Sequence, residues 1–84
     1  MSIVIQNEQT RQNIAENLRR ILQDRGLTQV SLASMSGDTE MTISRVCRGI
    51  CTPGVGVIVR IAEALDVSID RLAGAPPEKI SKSE

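Results

Sequence analysis

The sequence predicts an all-α fold, a compact bundle of about five short helices, on three observations. Apolar residues recur at intervals of three and four in successive segments, the spacing that lines one face of a helix. The segments are separated by helix punctuation: a hydroxyl residue opens several of them (Thr28, Thr39, Ser68), and a glycine closes most of them (Gly26, Gly37, Gly49, Gly74). The alternating pattern of a half-buried strand finds no convincing support outside the short run "IVI" near the N-terminus.

Each element follows from its own residues. In "RQNIAENLRRILQDR", Ile14, Leu18, Ile21 and Leu22 form a stripe from about Thr10, and Gly26 supplies the stop. Thr28 stands as the cap of a second helix carrying Val30, Leu32, Ala33 and Met35, which Gly37 closes after two to three turns. Thr39 caps a third, where Ile43, Val46, Cys47 and Ile50 recur at helical spacing and Gly49 marks the end. Pro53 and Gly54 break the chain before "VGVIVRIAEALDV", in which Val55, Ile58, Ile61, Ala62 and Leu65 are expected to form a buried stripe despite the helix-weakening Gly56. Ser68 caps a last short helix, "IDRLA", whose Ile69 and Leu72 are expected to close the core. The organisation expected is an N-terminal arm over residues 1–9, a helical domain over 10–74 and a flexible, polar, Pro-broken tail over 75–84.

Length and composition narrow the function. A chain of 84 residues holds one domain, and a domain this small buries only about 60 % of its unfolded surface. Phe, Tyr and Trp are absent, which argues against the single-strand and RNA modules that stack bases on aromatic rings. The net charge is zero but unevenly spread: residues 11–60 hold seven Arg against four acids, whereas residues 61–84 hold three bases against five acids. Affinity for a polyanion must then come from a few placed Arg rather than a broad field. No run approaches the ~18 apolar residues of a membrane span, and "MSIVIQNEQT" lacks the features of a signal peptide, so a cytoplasmic protein with reduced cysteines is expected.

Two short helices joined by a turn containing Gly, here "SGD", make a helix-turn-helix unit, whose second helix enters the major groove of DNA while the first crosses the backbone. The stripe of the third helix turns Glu40, Met41, Thr42, Ser44, Arg45 and Arg48 away from the interior. Through "LTQVSLA", "SGDT", "ISRVCRG", the Pro four residues after Gly49, and "IAEALDVSIDRL", the chain resembles the lambda-repressor-like, or Xre-type, DNA-binding family over about residues 13–73. The resemblance implies that Gln29 anchors a phosphate, that Glu40, Met41 and Arg45 read bases, and that Thr42 and Arg48 touch the backbone.

Side-chain chemistry fits these roles. Arg45 can donate twice to guanine, Glu40 can accept from cytosine N4, and Met41 can cover a thymine methyl. Gln29 and Arg48 suit phosphates, as do the free N–H groups at the start of the fourth helix around Gly54 and Val55. Glu40 also suits the positive end of its own helix dipole without any ligand.

The cysteines point to packing rather than chemistry. Cys47 lies on the apolar stripe, and a zinc site needs about four ligands where the chain offers two Cys and no His, so no metal and no cofactor are expected. Cys51, beyond the Gly49 stop and near Arg48, is the better placed of the two for redox chemistry. Many relatives of the resembled family carry a buried Arg–acid pair at the places held here by Leu22 and Cys47. Loss of both partners together is compatible with a stable fold, and Leu22 is expected to pack against Cys47.

The function expected is a sequence-specific transcriptional regulator of double-stranded DNA, a repressor acting as a homodimer on half-sites about 34 Å apart. With no room for a further domain, its dimer contacts would fall on Val67, Ile69 and Leu72 or on the "SIVI" arm. The alternative is an antitoxin or interaction module with a protein partner, its DNA binding secondary. An enzyme is not expected, since no nucleophile has a visible base.

Overall fold

A computed structural model of the chain describes residues 8–75, and the expected "IVI" arm and polar tail fall largely outside them. Five helices follow in order: α1 (Glu8–Arg25), α2 (Gln29–Ser36), α3 (Glu40–Arg48), α4 (Val55–Leu65) and α5 (Ile69–Ala73). Among the described residues there is no strand. Within the described residues α1 is already helical at Glu8, two residues before Thr10, and Glu8 pairs with Arg11 at 3.5 Å.

The caps explain the other boundaries. Thr28, Thr39 and Ser68 each sit in extended conformation and accept the N–H three residues on, from Ser31, Thr42 and Arg71. Each such bond satisfies one orphan donor of a helix start, worth ~1 kcal/mol. At the far ends, Gly37 and Gly49 turn left-handed with φ of 82° and 71° and return their N–H groups to helix carbonyls. Asp66 ends α4 with the same geometry at φ 57°, a conformation that Asp tolerates better than most side chains.

The helices enclose a core of aliphatic side chains and the Cys47 thiol, with no aromatic ring. Helix α1 packs on α3 and α5, α2 on α3 and α4, and α4 on α5. Ile14, Leu18, Leu32, Ile43, Leu65 and Leu72 are each at most 1 % exposed at the centre. Burying a side chain of this kind contributes ~1.5–3 kcal/mol. Among the described residues no helix is long and apolar enough to cross a membrane.

Several expected core residues lie outside it. In α2, Leu32 and Ala33 are buried, but Val30 and Met35 are exposed because they project more than a quarter turn to either side of that pair. Ile50 follows the left-handed Gly49 and has left the helical path, so it does not continue the α3 stripe and is exposed. Val55 and Ile69 are the first residues of α4 and α5; each lies on its stripe but beyond the edge of the bundle, so each is exposed while Ile58 and Leu72 below them are buried. Of the residues expected at a dimer contact, Leu72 is fully committed to its own core and Val67 packs partly against it, which leaves Ile69 as the exposed one.

Polar residues complete the interior. Asn17 on α1 is 5 % exposed, and its Nδ2 donates to the carbonyls of Leu72 at 2.7 Å and Gly74 at 2.8 Å. Asn13, one turn earlier, reaches the carbonyl of Ala73 at 3.4 Å. These bonds fasten the five-residue α5, too short to hold itself, to the longest helix.

Candidate nucleic-acid interface

Helix α3 is fixed from both ends and from beneath. Thr39 Oγ1 accepts the Thr42 N–H at 3.1 Å and donates to Thr42 Oγ1 at 2.9 Å. At the other end the Gly49 N–H reaches Val46 O at 3.1 Å and the Ile50 N–H reaches Arg45 O at 3.2 Å. Ile43, Val46 and Cys47 are fully buried and hold the inner face to the core. Gly49 lies so close to α1 that a Cβ placed on it would stand 3.3 Å from the Ala15 Cβ.

The outward face carries the residues singled out from the sequence. Glu40, Met41, Arg45 and Arg48 are exposed, while Thr42 and Ser44 are half-buried at its margin. The Thr42 hydroxyl takes part in the cap, although its own proton stays available to an acceptor. Gln29, first residue of α2, is exposed, as are Gly54 and Val55 at the start of α4. Unlike α2, α3 and α5, helix α4 has no side-chain cap, so the N–H groups of its first turn are left for solvent or an anion.

The arginines divide sharply. Arg11 pairs with Glu8 and Arg20 with Glu16 along α1. Arg19 donates to the carbonyl of Cys47 and Arg25 to that of Leu65, so each neutralises the negative end of another helix. Arg60 on α4 binds Asp38 in the turn between α2 and α3. Among the described residues the side chains of Arg45 and Arg48, and of Arg71 on α5, have no hydrogen bond or ion pair.

As expected from the sequence, Leu22 and Cys47 share the buried cluster in place of a charged pair. Two internal arrangements were not visible there, and in the first Arg19, three residues before Leu22, ties α1 to the last turn of α3. Burial pushes the Cys47 thiol pKa up, with the nearby Arg19 partly offsetting it. The second arrangement is the Asp38–Arg60 pair, in which the Arg60 hydrogen bond holds the carboxyl below its ordinary pKa against the opposing effect of burial. Cys51 is a free, half-buried thiol packed against the core. Among the described residues no three His, Cys, Asp or Glu gather as a metal site would require.

Two short helices meeting at a glycine turn, with the second presenting an unpartnered basic face, direct attention to the chain's relatives. A family model described as helix-turn-helix matches residues 18–72, from the middle of α1 to α5. The chain belongs to the lambda-repressor-like helix-turn-helix family. Over 58 residues, 69 % of its length, it is 36 % identical to y4dL of Sinorhizobium fredii, described as an uncharacterized HTH-type transcriptional regulator. The match spans 30 % of that relative's length. No solved structure gives a significant match. In this helix-turn-helix, α2 is the first helix of the unit, Gly37 to Thr39 the turn, and α3 the second helix.

Proposed function

We propose that the chain is a sequence-specific DNA-binding transcriptional regulator, a repressor that acts as a homodimer on operator DNA. The observation that carries the reading is the division of the arginines. A folded domain satisfies its charges internally where it can, and of the three arginines whose side chains are left without partners, Arg45, Arg48 and Arg71, the first two lie together on the exposed face of the helix that this motif directs into the major groove. In this reading Arg45 reads guanine, Glu40 accepts from cytosine and Met41, 62 % exposed, covers a thymine methyl. Gln29, Thr42, Arg48 and the first N–H groups of α4 at Gly54 and Val55 hold phosphates and set the register.

The test begins with selection of a binding duplex from a random pool, followed by affinity measurements over a range of salt. Arg48→Ala weakens all duplexes alike and lowers the salt slope by about one, whereas Arg45→Ala costs ~1–3 kcal/mol on the selected duplex and relaxes preference at one base. Unchanged binding in both variants would refute the assignment of the α3 face. A footprint with two half-sites about 34 Å apart supports the dimer, and a single protected half-site opposes it.

A further inference from the structure

Apart from Gln29 on α2, the residues proposed to meet DNA come from α3 and from the start of α4, yet α3 packs chiefly on α1 and α2, and α4 on α2 and α5. Their relation is set indirectly, through α2, through the loop from Gly49 to Gly54, and through one side-chain link. That link starts at Asp38, immediately before the Thr39 cap of α3, with a side chain only 6 % exposed. Arg60, five residues into α4, donates to Asp38 Oδ1 from Nη2 at 2.6 Å and from Nε at 3.2 Å. The other oxygen, Oδ2, accepts from Ser36 Oγ at 3.0 Å, so both ends of the carboxylate are held. The remaining guanidinium nitrogen lies over the first turn of α4, 3.3 Å from where a Cβ on Gly56 would stand. A residue with a side chain at position 56 would crowd the Arg60 head that the link requires.

An acid next to a DNA-binding helix is unfavourable in itself, because it faces the phosphate field. Resting on the reading above, we propose that Asp38 and Arg60 are positioning residues for DNA recognition: their bond fixes the start of α3 against α4, so that both meet one duplex in a single relation. The pair acts through the two helices and need not touch DNA.

The sign of one substitution separates this role from its rivals. Asp38→Asn removes a negative charge from the DNA side, so by charge alone it tightens binding to every duplex. Positioning demands the reverse for the selected duplex: affinity falls roughly tenfold, while affinity for a random duplex of equal length is unchanged or increased. The dissociation constants are measured at a temperature where circular dichroism shows the variant folded. Tighter or unchanged binding to both duplexes overturns the proposal, since Asp38 would then matter only by its charge or only to stability. Should Asp38→Asn be unfolded, Arg60→Lys carries the same test, because it keeps the positive charge but not the two-nitrogen grip on Oδ1. It must lower the ratio of selected to random affinity, and an unchanged ratio overturns the proposal. If the wild-type chain selects no duplex, it is the reading of the α3 face that fails, an outcome distinct from a wild type that selects and variants that select equally well.

Discussion

Replacing Gly49 with Ala superimposes two costs that Gly37 allows to be separated. Both glycines end a helix in the left-handed region, with φ of 71° and 82°. Around Gly37 nothing lies within 4 Å of a new Cβ, so Gly37→Ala meets only the backbone penalty, ~1–2 kcal/mol for an L-residue in that region. At Gly49 the new methyl stands 3.3 Å from the Ala15 Cβ, on a helix that cannot yield without moving the core. Overpacking of that kind adds ~1–3 kcal/mol, which brings the expected loss for Gly49→Ala to ~2–5 kcal/mol. Since one kcal/mol shifts the midpoint of a domain this size by ~4–8 °C, the two variants should melt at clearly different temperatures. Urea unfolding followed by far-ultraviolet circular dichroism provides the assay, because the chain has no aromatic residue to report by fluorescence. Losses that agree within ~0.5 kcal/mol would refute the close approach of α1 to the end of α3.

Two further outcomes follow from the protonation states. The carboxyl of Asp38 is held below its ordinary value of 3.8, so the folded state binds its proton less readily than the unfolded state does. Its stabilising effect is complete above that ordinary value and disappears as pH falls through the lower folded value. The stability difference between wild type and Asp38→Asn is therefore constant from neutral pH down to about 5 and closes below about 4; a gap that persists in stronger acid contradicts the assignment. For the thiols, Cys47 is fully buried with a raised pKa while Cys51 is half-buried, so iodoacetamide modifies Cys51 in the folded protein and Cys47 only as urea unfolds it. Equal native rates would contradict the burial of Cys47.

The helices were legible because their signals are local. Thr28, Thr39 and Ser68 cap, and Gly37 and Gly49 stop, through bonds to residues within a few positions, so the sequence carries both partners of each bond. The outer face of α3 was legible for the same reason, since Ile43, Val46 and Cys47 define the opposite side. Periodicity says which way a side chain points but not whether anything lies there, and so Val55 and Ile69 read as core while standing past its edge. Bonds across the fold were not legible at all. Asn17 reaches the backbone of residues 55 and 57 positions away, and Asp38 meets an arginine 22 positions on; neither partner is marked by spacing. Arg45 and Arg48, proposed above to meet DNA, could be told from the five partnered arginines only once those had found their partners.

That same division has an evolutionary side. The side chains of Glu40, Met41, Arg45 and Arg48 make no hydrogen bond or ion pair to the rest of the fold, and each is exposed. Exchanging such residues typically changes stability by no more than ~0.5 kcal/mol, whereas the cap, the glycine stop and the inner stripe of the same helix tolerate little. If that face reads DNA as proposed, a lineage of this protein can drift from one operator to another by substitutions that leave its folding untouched, with Thr39, Gly49 and Val46 held constant while the face between them is rewritten.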